Sequence, residues 1–248
     1  MLSRILTRTV SEGDLPTRRA SEVPSSSALR KPNPSLARRV SVAATLLTVI
    51  AAFPLLSHAQ FRPSTQTGET QVFGLSGKGS RFVYVFDRSL SMQGQPLAAA
   101  KRELLASLSH LERVHQFQIV FYNESPKLMR LSPDQPAAMI FADEDGLKSA
   151  VSFVNNMTAA GGTNHVDALK LALRLGPDVI FFLTDADDPV ISPKELEQIQ
   201  RANGGSIIHV IEFKPGPDQH KGDFLRKLAE QNRGQFKYVD TEAIAAGK

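Results

Sequence analysis

Asp87, Ser89 and Ser91 stand at alternate positions in the stretch FVYVFDRSLSM. In an extended turn, alternate side chains can converge on one point while Arg88 and Leu90 face away. Two other segments add oxygen-bearing side chains: Gly161-Gly162-Thr163, and the Thr184-Asp185 pair that ends VIFFLTD. Neutral hydroxyls with compensating carboxylates suit a hard divalent cation such as Mg²⁺, which takes oxygen ligands in an octahedral shell and keeps several waters. The two glycines give the backbone the freedom to bring Thr163 close. Each piece also has a plainer reading. A serine after a strand commonly caps a helix, Thr163 or Asn164 can cap the helix that follows, and Asp185 can be an ordinary strand-end residue. It is the concurrence of all three that favours a metal site.

A shared metal requires elements that bring these segments to one edge. Phe82–Phe86 and Val179–Leu183 are short, continuous apolar runs, as expected of strands buried on both faces. Gln116–Tyr122 predicts a third strand, Lys127–Leu131 a short edge strand, and Ser206–Phe213 and Phe236–Val239 two more. Apolar residues recur at helical spacing in Pro96–Leu111, His165–Leu175, Pro193–Ala202 and Phe224–Gln231. Asp143 is placed to cap a further helix that runs to about Asn155. Strands alternating with helices predict an α/β fold: a doubly wound, mostly parallel central sheet with helices on both faces. Ligands of such sheets gather at the carboxyl ends of the strands, near the point where strand order reverses.

FVYVFDRSLSM, GGTNHVDALKLAL and FFLTDAD, in that order over residues 81–240, resemble the von Willebrand factor A family of bacterial type, with its metal-ion-dependent adhesion site. The resemblance implies that Ser89, Ser91 and Thr163 touch the metal. It also implies that Asp87 and Asp185 bind it directly or through water, and that an acidic group of a partner takes the remaining position. Mg²⁺, Mn²⁺ or Ca²⁺ would serve as the ion. Leu90 departs from the pattern, since many bacterial members carry glycine there and leucine does not readily take φ > 0. Of the neighbouring polar residues, Asp187 and Asp188 read as solvated loop acids. His165 reads as a first-turn helix residue and His209 as a strand residue. Arg88 is left between an ion pair and the steering of an acidic partner.

The chain has 248 residues, no cysteine and a net charge of +4. A disulfide, a thiolate metal site and a cysteine nucleophile are therefore excluded. Residues 1–39 hold eight Arg or Lys against three acids, so they alone carry +5 and the remainder about −1. The folded region thus lacks the basic excess that nucleic-acid binding demands. Residues 1–39 read as a disordered basic leader. Residues 40–59 contain an apolar run, Val40–Leu56, followed by Ser57-His58-Ala59, which reads as a signal peptide or an uncleaved signal anchor. Residues 60–80, rich in glycine and polar side chains, read as a flexible linker, and Gly74–Ser80 within them lacks the spacing of a phosphate loop. Residues 81–240 form the folded domain and 241–248 a tail.

The function expected from these residues is protein binding through a divalent metal, with an exposed Asp or Glu of the partner completing the shell. Membrane attachment would come through residues 40–56 if they are uncleaved, leaving the folded domain on the extracytoplasmic side. A structural envelope scaffold with an empty site is the main competitor. A metal-assisted phosphatase is a weaker one, because Ser89 stands where a phosphoaspartate enzyme would want a second acid. No enzyme activity is expected.

Overall fold

The computed structural model describes residues 67–185, 189–218 and 223–245. The readings of the leader, of the 40–59 segment, of Asp187 and Asp188, and of residues 246–248 fall outside them. Among the described residues no helix is long and apolar enough to cross a membrane.

Two strands, β1 (Gly68–Val72) and β2 (Leu75–Gly79), come first and pair antiparallel as a separate hairpin. The main sheet is built from β3 (Arg81–Asp87), β4 (Gln116–Tyr122), β5 (Pro126–Leu128), β6 (Ile140–Phe141), β7 (Val179–Thr184), β8 (Ile207–Lys214) and β9 (Phe236–Asp240). Its order is β5-β4-β3-β7-β8-β9, with β6 also paired to β4. The five strands from β4 to β9 in that order run parallel, and only β5 and β6 are antiparallel. The helices are α1 (Gln95–Ser109), α2 (Glu144–Asn155), α3 (His165–Arg174), α4 (Pro193–Ala202), α5 (Asp223–Gln231) and α6 (Thr241–Ala245).

The strand periodicity sorts the core into two layers. Phe82, Tyr84 and Phe86 of β3 face one way and pack with Phe117, Ile119, Phe121, Phe181 and Phe213 beneath α1 and α2. Val83 and Val85 face the other way, with Val120, Tyr122, Ile180, Phe182 and Val210 beneath α3, α4 and α5. Helix starts follow local chemistry. Asp143 accepts from the Gly146 amide at 2.8 Å, Asn164 caps α3, and Ser192 with Glu195 forms a reciprocal capping box on α4.

Two expectations are overturned. Thr241–Ala245, read as part of a tail, is the helix α6, with Thr241 buried and Ile244 packed on the first core layer. The stretch 60–80, read as a flexible linker, is a β-hairpin over its described part, and Gly74–Gly79 within it is the end of the turn and the second strand. The turn residues Phe73 and Gly74 have φ of 47° and 75°, the left-handed pair of a two-residue hairpin turn. Val72 and Leu75 sink into the first core layer. Gly77 sits so close to β7 that a Cβ there would lie 2.7 Å from Val179 Cγ1. The glycines serve close approach, not slack. The hairpin therefore shares with α1 and α2 the covering of one sheet face.

Candidate functional site

From β3 the chain next pairs as β4 on one side, and later as β7 on the other. Strand order thus reverses between β3 and β7, where the loops diverge and leave a crevice at the carboxyl ends. Asp87 ends β3 there, Thr184 ends β7, and Asp185 follows it. Asp87 is fully buried. Its Oδ1 accepts from the Ser89 amide at 2.7 Å, and its Oδ2 from the Thr184 hydroxyl at 2.8 Å. Ser89 Oγ and Ser91 Oγ lie 3.0 Å apart.

The threonine loop is fastened to this one. The Leu90 amide donates to the Gly161 carbonyl at 3.0 Å and the Ala160 amide to the Arg88 carbonyl at 2.9 Å. The end of β4 holds it from a third side, since Asn123 Nδ2 donates to the Ala160 carbonyl and the Gly162 amide to Glu124 Oε1. Gly161 has φ of 73°, a dihedral that suits glycine. Thr163 is half-buried on this loop. Leu90 opens a short 3-10 turn, Leu90–Met92, and has no positive φ, so the loop closes without the glycine. Its side chain is 59% exposed.

The electrostatics are those of a crowded anionic site. Burial is the main cause that lifts the Asp87 carboxyl to about 6, and the Asp185 charge adds to it against the hydrogen bonds from Ser89 and Thr184. Burial, then the Asp87 charge, also pushes the Tyr122 phenol well above its ordinary range. The Tyr122 hydroxyl pairs with His165 Nδ1 at 3.0 Å, and burial lowers His165 to about 4, which keeps it neutral. His165 packs edge-on against Phe182 behind the threonine loop. His209 is buried and stacked on Phe181, and Arg88 donates to the Thr158 carbonyl at 3.2 Å.

This donor set fits a small hard cation. Two oxygens bound side by side at about 2.1 Å in an octahedral shell are about 3 Å apart, the spacing of the two serine hydroxyls. A cation would also offset the repulsion between Asp87 and Asp185. Among the described residues no group of three or more His, Cys, Asp or Glu is gathered for a metal, so a metal here would depend on hydroxyls. Asp87, Ser89 and Ser91 come together directly, Asp185 acts on Asp87 through its charge, and Thr163 lies on the loop bonded to theirs. Thr184, named in the sequence as an oxygen-bearing strand end, serves to hold Asp87, while Asn123 and Glu124 escaped the sequence reading. The rule that drew attention to the ends of β3 and β7 applies equally to the end of β4 and would have found the last two.

Residues 80–238 match the von Willebrand factor type A domain. The chain belongs to that family. It is 26% identical over 190 residues to inter-alpha-trypsin inhibitor heavy chain H4 of Homo sapiens, covering 70% of this chain and 20% of that protein. The chain therefore spans about a fifth of the length of this relative. Among solved structures, the von Willebrand factor type A protein from Catenulispora acidiphila superposes with a TM-score of 0.58 at 20% identity, over 75% of this chain and 50% of that one. BatB from Bacteroides thetaiotaomicron matches with a TM-score of 0.50 at 16% identity, over 68% and 96%. These likenesses carry the fold.

Proposed function

We propose that this von Willebrand factor type A domain binds a protein partner through a divalent cation held by Asp87, Ser89, Ser91, Thr163 and Asp185. One observation carries the reading: two crowded carboxylates and a pair of serine hydroxyls at cation spacing share the crevice where strand order reverses. A divalent cation held by two carboxylates and neutral hydroxyls is formally neutral, and its open coordination position accepts an Asp or Glu of the partner. Mg²⁺ is the first candidate, with Mn²⁺ and Ca²⁺ behind it. His165 is neutral and turned toward Tyr122, which supports binding over catalysis. The apolar run at 40–56 supports export or anchoring, with the domain outside the cytoplasm.

Titration calorimetry of the full chain with Mg²⁺ tests the site. Binding that disappears in the Asp87→Ala/Asp185→Ala variant, together with an upward shift of the melting temperature on Mg²⁺ addition, is the expected result. Silence in both measurements defeats the proposal.

A further inference from the structure

The chain between α2 and α3, residues 156–164, carries Gly161, Gly162 and Thr163. It starts at the carboxyl end of α2, where backbone carbonyls without helical partners carry the negative end of the helix dipole. Helix α2 has no basic residue of its own in its last turn. Cations reach it from two other elements instead. Lys101 of α1 donates through Nζ to the Asn155 carbonyl at 3.2 Å and to the Met157 carbonyl. Arg88 of the metal loop donates through Nη1 to the Thr158 carbonyl at 3.2 Å.

Arg88 also holds this loop with its backbone. Its carbonyl accepts from the Ala160 amide at 2.9 Å, and its own amide donates to the carbonyl of Tyr122, the last residue of β4, at 2.8 Å. The residue between Asp87 and Ser89 is thus bonded to both neighbouring segments of the site, and it grips Thr158 and Ala160 on the way to Thr163. The guanidinium is a poor choice for stability alone. Its Nε is buried with no acceptor among the described residues, and a buried donor left unpaired costs stability. An apolar side chain of similar length would cover the same surface without that cost.

We infer that Arg88 is a positioning residue of the metal site: its guanidinium fixes the start of the threonine loop, so that the Thr163 hydroxyl is held ready to join those of Ser89 and Ser91 at the cation. The inference rests on the metal-dependent reading above. A site that counts neutral hydroxyls among its ligands gains less from charge than one built of carboxylates. Its affinity depends more on how firmly the loop is held beforehand. Gly161 and Gly162 add backbone freedom that binding must remove, unless bonds outside the metal shell have removed it already. With its guanidinium on the Thr158 carbonyl, Arg88 is fastened to the loop rather than free to steer an acidic partner.

Charge and position predict opposite signs for a substitution here. Removing a positive charge beside a cation site strengthens cation binding by Coulomb's law, whereas losing a clamp on a ligand loop weakens it. The test is Mg²⁺ calorimetry on the full chain and on its Arg88→Met and Arg88→Lys variants, with melting curves of all three in EDTA. The Met variant should bind Mg²⁺ at least about tenfold more weakly than the parent, yet melt in EDTA at the parent's temperature or above. The Lys variant, with a donor that can reach a carbonyl, should recover part of the affinity. In the metal-free Met variant the amide resonances of Gly161 and Gly162 should shift or broaden. A Met variant that binds Mg²⁺ as tightly as the parent, or more tightly, overturns the positioning role and leaves the metal reading standing. A Met variant that melts well below the parent in EDTA marks a bond of the fold alone and overturns it too, as does a Lys variant no better than the Met one. Absence of Mg²⁺ binding by the parent chain overturns the metal reading itself.

Discussion

Asp87 concentrates the conflict between stability and binding. Its folded pKa of about 6 exceeds the ordinary 3.8, so the metal-free fold holds a proton more tightly than the unfolded chain does. Stability from this group is therefore fully present below pH ~4 and lost as pH rises through ~6. Two pH units of displacement correspond to a penalty of about 3 kcal/mol at neutral pH, an upper figure for so crowded a pair. Asp87→Asn should raise the melting temperature of the EDTA-treated protein at pH 7.5, with the advantage vanishing near pH 4. The same substitution should erase the Mg²⁺ response. Melting curves at both pH values, with and without Mg²⁺, decide it. An Asn variant less stable than the parent at pH 7.5 would show that the carboxylate's hydrogen bonds to Ser89 and Thr184 outweigh the cost of burying its charge.

At the scale of elements, the hairpin is fastened to α1 by a buried chain of hydroxyls. Thr70 donates to the Ser107 carbonyl at 2.7 Å and lies 2.8 Å from its Oγ, which in turn lies 2.9 Å from the Tyr84 hydroxyl. Ser107→Ala removes the hydroxyl that links Thr70 to Tyr84 in the core and should cost about 1–3 kcal/mol. Chemical denaturation measures this, and the double variant Ser107→Ala/Tyr84→Phe should recover part of the loss. A full-sized single-variant loss that the second substitution leaves untouched would refute the chain. Gly234 is a sharper constraint. A Cβ there would lie 1.7 Å from the Ile208 carbonyl oxygen, so Gly234→Ala must displace backbone and should destabilise more than Ser107→Ala.

The elements of the main sheet were legible because both periodicities are clean. Pro193–Ala202 and Gln116–Tyr122 have the ends read from their sequence, and β3 and β7 announce themselves as apolar runs. The pattern around Asp87, Ser89 and Ser91 was legible because strand ends are where parallel sheets leave side chains free. The hairpin was not. Its only large apolar residues within the strands are Val72 and Leu75, and its buried glycines look like flexibility when read locally. A glycine chosen because Val179 lies across it is a long-range fact, with no local signature.

For the molecule as a whole, the family match begins at residue 80, yet the core begins earlier. A chain begun at residue 81 uncovers Phe213, which packs against Phe73 at 5.1 Å between ring centroids, and loses Val72 and Leu75. Loss of those two side chains alone predicts about 3–6 kcal/mol less stability than in a chain begun at residue 67. Light scattering and thermal melts on the two should show the shorter one aggregating at lower temperature. Equal behaviour would mean that the hairpin is ornamental.

The hairpin also sets a timetable. It leaves the ribosome or an export channel ahead of everything it rests on, and two strands alone are at best marginally stable in water. Its seat on Val179 and Phe181 emerges about a hundred residues later. The earliest of the described strands thus gain this part of their seat only after most of the main sheet has been made.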